Sequence, residues 1–237
     1  MSFEVPAVIA KAKLGSAKLD YRWRADHKPW LTDGSRTPIV KKLSEMSVRG
    51  GLALLLAAGE WLRARLAEAG APPWDDALHA GWGEVIDPGS VELDGLRVEL
   101  TGAPNVVGPI TEYLREVRQV FTIARTFDGA FHSYVESGLK LVDHVMPSRP
   151  YRAWRTACYP RLAELAGGQT MSAVHRTIAA TAAQRGVPDD QVEEEIIETQ
   201  GHAPLWGPIV VREDLFAAAP LDAAGREARI AAVRAGR

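Results

Sequence analysis

The stretch VRGGLALLLAAGEWLRARLAEAG, residues 48–70, holds the densest apolar run in the chain and decides the fold class. Its unbroken apolar part extends only from Gly50 to Gly59, and charged residues follow at once. A membrane-spanning helix needs roughly 20 mostly apolar residues. A run of about ten that is apolar on every side is instead typical of a helix buried in a protein core. We therefore predict a central buried helix.

Signals on both sides set the expected bounds of this helix. Thr37 can cap a helix, and the next residue is a proline, which suits the first helical position because its missing N–H needs no partner there. Gly70, followed shortly by two prolines, is a typical helix end. The pair Gly50-Gly51 indicates either a kink or a close crossing with another helix.

Composition favours a soluble globular protein. Of the 237 residues, 46% are hydrophobic and 24% are charged, which supplies enough apolar side chains for a core and is near the average for soluble domains. The net charge of −2 argues against a strong overall attraction to nucleic acid or acidic membranes. The single cysteine and the absence of a signal-peptide pattern favour a cytoplasmic protein.

The periodicity divides the chain into an N-terminal arm, residues 1–36, and a helical domain, residues 37–237. The arm shows little periodicity and is expected to be irregular. Apolar residues recur at steps of three and four from Ile110 to Tyr134, which predicts one long amphipathic helix that starts near Thr111 and ends by Pro147. Further helices are expected near Trp74, around Cys158, after a Thr170 cap, from Pro188, and from Leu221 to the C-terminus. The fold class is mainly α.

The segment VELDGLRVEL, residues 91–100, predicts an inserted β-hairpin. Asp94-Gly95 is a typical pair for a tight type I′ turn, and the flanking residues alternate between apolar and charged. In that register Leu93 faces Leu96 and Glu92 faces Arg97, so one face is apolar and the other carries an opposite-charge pair. Residues 208–211 are a second candidate strand.

Local catalytic motifs are absent from the sequence. It contains no P-loop, nucleophile elbow, H-E-x-x-H, C-x-x-C or G-x-G-x-x-G motif. Cys158 lies in an apolar stripe, which is typical of an inert packing residue rather than a nucleophile paired with His175. Trp206 is expected to pack into the core from a proline-rich loop.

Asp128, His132 and Glu136 are spaced by four residues on the expected long helix. Carboxylates and an imidazole one turn apart can share a metal ion, which would allow metal-assisted hydrolysis. Charged residues at this spacing also form ordinary solvated faces, and a metal site needs ligands from a further element. We favour the solvated face, and we predict no catalytic residue, no metal and no cofactor.

Aromatic and basic residues alternate in DYRWRADHKPW, residues 20–30. Rings beside cations can hold single-stranded nucleic acid, so nucleic-acid binding is a third possible function. The alternative interpretation is that the aromatic residues anchor the arm on the helical body while the cations face water.

The helix expected in PDDQVEEEIIETQ, residues 188–200, is strongly acidic. Negative charge in the first turn suits the helix dipole, but the later glutamates need another explanation. They form either a solvated face or a surface that steers a basic partner. The candidate partner-binding residues are Asp189, Asp190, Glu193, Glu194, Glu195 and Glu198. The leading function is therefore a non-enzymatic protein that binds another protein, such as an inhibitor, an immunity-type protein or an adaptor.

Overall fold

The computed structural model describes residues 4–14, 19, 21–24, 37–217 and 221–235. Within these ranges the chain is mainly helical and has no β-strand, so the mainly α fold class is confirmed. No helix in the described part is both long enough and apolar enough to cross a bilayer. The helices are α1 (Ala7–Lys11), α2 (Pro38–Leu43), α3 (Val48–Ala67), α4 (Asp75–Ile86), α5 (Pro104–Arg125), α6 (Phe131–Val145), α7 (Arg149–Ala166), α8 (Met171–Arg185), α9 (Asp189–Gln200), α10 (Ala203–Trp206), α11 (Glu213–Phe216) and α12 (Ala223–Ala235).

Helix α3 is the predicted central helix. Every residue from Val48 to Leu62 is buried, and the helix packs against α4, α5, α6 and α7. Its start differs from the prediction. Thr37 caps the separate short helix α2, whereas the Ser47 hydroxyl caps α3 by accepting the Gly50 N–H at 3.1 Å.

Gly51 lies at a close crossing between α3 and α6, and α3 continues unbroken through it. A Cβ at Gly51 would lie 2.9 Å from the Phe131 ring of α6. On α6, a Cβ at Gly138 would lie 2.6 Å from the Cδ1 of Leu55. The two glycines therefore let α3 and α6 approach more closely than side chains at these positions would allow.

The single long amphipathic helix was a wrong prediction, because the stripe spans two helices, α5 and α6. Phe127 adopts a left-handed backbone conformation, with φ of 50°, which ends α5. The Asp128 carboxylate then accepts the Ala130 N–H at 2.7 Å and turns the chain into α6. Apolar periodicity continued across this break because α5 and α6 bury their apolar faces in the same core.

The β-hairpin at 91–100 was also wrong. Residues Leu93–Leu96 form one 3₁₀ turn, and Gly95 is not among the residues with positive φ. Side chains from α4 and α5 bind the backbone where a partner strand would be needed. Glu84 accepts the Val91 N–H at 3.1 Å, and Arg125 donates to the Val91 carbonyl at 2.6 Å. Leu96 is buried in the helical core, so the apolar residues of this segment are used without a sheet.

Five further predicted helices are present, whereas the second candidate strand and the irregular arm differ from the prediction. Helices near Trp74, around Cys158, after Thr170, from Pro188 and after Leu221 are present. Trp206 is fully buried, and its indole N–H donates to the Ala124 carbonyl at 3.0 Å. Residues 208–211 are not a strand, and the Val211 N–H donates to Asp214 at 2.9 Å. In the predicted irregular arm, α1 is helical and buries Ile9.

Candidate functional site

The acidic helix α9 packs beside α8 and buries only Val192 among its residues. Two of the six candidate carboxylates face α8. Glu195 forms an ion pair with Arg185 at 2.6 Å, and both side chains are about half exposed. Glu193 is partly buried, and burial raises its pKa while the nearby His175 lowers it. These two glutamates therefore belong largely to the α8–α9 contact.

The other four carboxylates form an exposed surface, which we call the acidic face: Asp189, Asp190, Glu194 and Glu198. Asp190, Glu194 and Glu198 are spaced by four residues and so lie on one side of the helix. None of the four forms an ion pair with another residue in the part of the chain that the structure describes. Like charges at this spacing repel, so the acidic face costs α9 some stability.

Asp128, His132 and Glu136 do not form a common solvated face. Asp128 is exposed in the α5–α6 turn, His132 is largely buried, and Glu136 is fully buried. Thr37 donates to Glu136, and Lys140 lies 3.2 Å from the same carboxylate oxygen. The solvated-face prediction is thus right for Asp128 and wrong for Glu136, because α2 covers that side of α6.

Metal-ligand geometry is not found around these residues. Among the described residues, no three His, Cys, Asp or Glu side chains are grouped so that they could hold a metal ion. Burial lowers the pKa of His132 to about 4, and the neighbouring His175 adds to this effect. His132 is therefore a neutral, buried imidazole at ordinary pH, and its Nε2 has no hydrogen-bond partner.

Two aromatic residues of the basic arm segment, Tyr21 and Trp23, are anchored on α5. Tyr21 donates to the Asn105 carbonyl, and the Trp23 backbone N–H donates to the Asn105 side chain at 3.1 Å. The Trp23 indole lies directly on Gly108, where there is no room for a Cβ. This geometry favours the anchoring interpretation over base stacking. Asp20 and residues 25–30 of the segment lie outside the described residues.

Cys158 lies in the core, where its thiol contacts the Leu215 carbonyl at 3.9 Å. Burial raises its pKa to about 12, so the thiol stays protonated and is a poor nucleophile. His175 instead lies 3.1 Å from the Phe127 carbonyl. The structure thus gives this cysteine the packing role that its apolar stripe indicated.

Buried carboxylate–arginine pairs are the main polar feature that sequence reasoning missed. Arg125 binds Glu84 at 2.8 Å, Arg226 binds both oxygens of Asp214 at 2.7 and 2.8 Å, and Arg155 binds Asp143 at 2.6 Å. Each pair joins different elements of the fold. The only sequence signal was an acidic residue within an apolar segment, and this signal does not identify the partner.

A cluster of polar side chains between α6 and α7 contains atoms that lack hydrogen-bond partners. The Tyr151 and Tyr159 hydroxyls and the second oxygen of Asp143 are buried without hydrogen-bond partners near Arg155. Burial raises the pKa of both tyrosines, so these hydroxyls are donors and not bases at ordinary pH.

Comparison with known proteins gives no relative, because no family model, curated protein or solved structure matches this chain. A function is therefore inferred only from the residues and surfaces of the chain itself.

Proposed function

We propose that this protein is a non-enzymatic binding protein whose acidic face contacts a basic surface of another protein. The observation that supports this proposal is the clustering of four exposed carboxylates on one helix without the arginine partners that several other carboxylates have. Glu60, Glu84 and Asp214 are each paired with an arginine, and even the exposed Glu195 has one. The four carboxylates of the acidic face lack such a partner among the described residues, so a second protein could supply the positive charge.

The nature of the surface indicates the kind of interaction. Among the described residues the only exposed large hydrophobic side chains are Val5 and Tyr134. A permanent interface usually has an apolar centre, and an exposed apolar patch would mark one. A polar surface with clustered charge instead favours a reversible complex whose association rate depends on salt. An inhibitor, an immunity-type protein or an adaptor would each use such a complex.

Metal-assisted hydrolysis and nucleic-acid binding have less support in the geometry. Asp128, His132 and Glu136 do not converge on a common point, so a metal-assisted hydrolase has no observation in its favour. The Tyr21 and Trp23 rings are used to hold the arm on α5, which leaves them poorly placed for nucleic-acid stacking.

The test begins with affinity purification of the full chain from its source cell, followed by mass spectrometry of stoichiometric partners. Association rates are then measured for a triple variant of the acidic face, Asp190→Asn, Glu194→Gln and Glu198→Gln. The matched control removes three exposed carboxylates elsewhere, through Glu68→Gln, Glu99→Gln and Glu164→Gln. Both variants change the net charge equally.

We expect the acidic-face variant to associate about tenfold more slowly at low salt, with a weaker salt dependence, while the control stays close to the unaltered protein. Equal slowing in both variants would mean that only net charge matters. An unchanged rate for the acidic-face variant would mean that another surface binds the partner. Either result would overturn the proposal.

A further inference from the structure

A cavity of about 320 Å³ lies where the arm meets the corner between α6 and α7. Its walls come from arm residues 12–14, from Tyr21, from Arg65 of α3 and from the turn at residues 144–150. This volume falls within the range of roughly 300–1,000 Å³ that is typical of small-molecule sites. The cavity is at the C-terminal end of α6, on elements that do not include α9, so it is separate from the acidic face.

Three basic residues line the cavity. They are Lys13, Arg65 and His144, and no described carboxylate is part of the lining. Burial raises the pKa of Tyr21 to about 12, although Arg65 lowers it, so this residue adds a neutral phenol and no negative charge. A cavity with this lining attracts anions and not cations.

Arg65 is bound to the arm. One guanidinium N–H donates to the Leu14 carbonyl at 2.9 Å, which fixes both the arginine and the arm segment that forms the opposite wall. Arg65 and His144 take part in further contacts as well, and an incoming oxyanion would share their donors. An arginine has five N–H donors and can bind a carbonyl and an oxyanion at the same time.

Lys13 adds a second observation. It is one of the two non-glycine residues with positive φ in the described chain, at 45°. Such a backbone conformation is costly for a lysine and is concentrated at functional sites. Lys13 is an exposed residue that also lines the cavity.

The rest of the lining is apolar. Leu14, Val145, Met146 and two prolines supply it, so the cavity can hold more than a bare ion. At the start of α7 the Ser148 hydroxyl accepts the Tyr151 N–H, which leaves its own O–H able to donate to a ligand, whereas Pro150 has no N–H. Lys13 and Arg65 supply the positive charge of the site.

We propose that this cavity binds a small organic oxyanion, a phosphate or carboxylate carried on an apolar or aromatic body. The test is calorimetric titration of the full chain with phenyl phosphate, benzoate, inorganic phosphate and phenol at low salt. We expect phenyl phosphate or benzoate to bind more tightly than inorganic phosphate or phenol. Only phenyl phosphate and benzoate carry both an anionic group for the basic residues and a ring for the apolar part of the lining. The tighter of the two identifies the anionic group.

Two variants and a control assign the binding to the cavity. Lys13→Ala and Arg65→Gln are each expected to weaken the affinity of the tighter probe by about tenfold. Lys41→Ala removes an exposed lysine on α2, outside the cavity, and should leave the affinity unchanged. Since Arg65→Gln could also loosen the arm, Lys13→Ala is the decisive variant. The proposal fails if no probe binds saturably in the millimolar range. It also fails if Lys13→Ala binds the tighter probe as well as the unaltered chain does, or if Lys41→Ala loses as much affinity as Lys13→Ala.

Discussion

Glu60 and Arg212 lie 152 residues apart in the chain and form a buried ion pair with two hydrogen bonds, at 2.6 and 2.7 Å. The Trp82 indole N–H donates to the same carboxylate at 3.1 Å. Arg212 also donates to the Glu4 carbonyl at 2.7 Å. One ion pair thus joins the central helix to the C-terminal segment and to the arm, which are distant in sequence.

Replacing Arg212 with methionine should lower the free energy of unfolding by about 3 kcal/mol, because it leaves a buried carboxylate without its cation. Burial already raises the pKa of Glu60 despite Arg212, and removal of the arginine should raise it further. The unfolded pKa is the same in both proteins, so the loss should grow as the pH rises above the ordinary glutamate value. Urea unfolding of both proteins at several pH values measures this difference.

The double variant Arg212→Met with Glu60→Gln is the control for that measurement. It removes the buried charge, so it should be more stable than Arg212→Met alone at pH 8 and should lose the pH dependence of the difference. A loss in Arg212→Met that is the same at pH 5 and pH 8 would show that the Glu60 charge is not its cause.

Gly59 should tolerate no side chain. A Cβ there would overlap the Tyr113 ring, at 2.6 Å from Cζ, and the Tyr113 hydroxyl is fixed by its bond to the Leu55 carbonyl at 2.7 Å. Gly59→Ala should therefore lower the free energy of unfolding by about 1–3 kcal/mol, although alanine is the better helix former.

Gly95→Ala is the matched control for that glycine. A Cβ at Gly95 meets no atom within 4 Å, and its φ is not positive, so thermal unfolding should be nearly unchanged. A large loss at Gly95 would instead favour the tight turn of a hairpin, since that turn requires positive φ. Comparable losses at both positions would contradict the packing described for Gly59.

His132 should make stability depend on pH between about 4 and 6.5. Its folded pKa of about 4 lies below the ordinary histidine value, so the fold favours the neutral ring. This contribution is fully present above pH 6.5 and is lost as the pH falls towards 4, with a size of about 3 kcal/mol. In His132→Gln that part of the decline should be missing, which urea unfolding at pH 7 and pH 4.5 would detect. Parallel declines in the two proteins would contradict the assignment.

Local patterns predicted the local features of this fold. The apolar run at residues 48–70 identified the buried α3, and the Thr170 cap was correct, because a run and a cap depend on neighbouring residues alone. The hairpin failed for the opposite reason. The Asp94-Gly95 pair and the alternation of apolar and charged residues suited a hairpin. However, the Glu84 and Arg125 side chains, which come from other helices, bind the Val91 backbone instead.

The same distinction applies to the candidate sites. The acidic helix α9 was predicted from sequence, but the pairing of Glu195 with Arg185 required the α8–α9 geometry. The basic cavity combines Lys13, Arg65 and His144 from three separate segments, and no spacing rule connects them. Sequence reasoning placed His132 and Glu136 on a helix but put Asp128 on the same helix, whereas it lies in the α5–α6 turn. It also could not show which faces the neighbouring helices cover, as the buried Glu136 illustrates.

Arg49 is a buried cation that joins two segments. Its side chain donates to the carbonyls of Val85 at 2.8 Å and Ile86 at 3.4 Å, at the end of α4, and to the carbonyl of Gly207. Burial lowers its pKa to about 10, with Asp87 opposing the shift, so it remains charged at neutral pH. It therefore acts as a C-terminal cap for α4 that also holds the segment after α10.

Arg49→Met should lower the free energy of unfolding by about 3 kcal/mol, because three carbonyls lose their donor inside the protein. Arg49→Lys should recover little of this loss. A single ammonium group cannot span three carbonyls as a planar guanidinium does, and burial neutralises lysine more readily. Arg152→Met, at an exposed arginine of α7, is the control and should change stability by less than about 0.5 kcal/mol. Urea unfolding at pH 7 measures the stability of all three variants. If Arg49→Lys were as stable as the unaltered protein, charge alone, and not the fork of guanidinium donors, would hold these segments together.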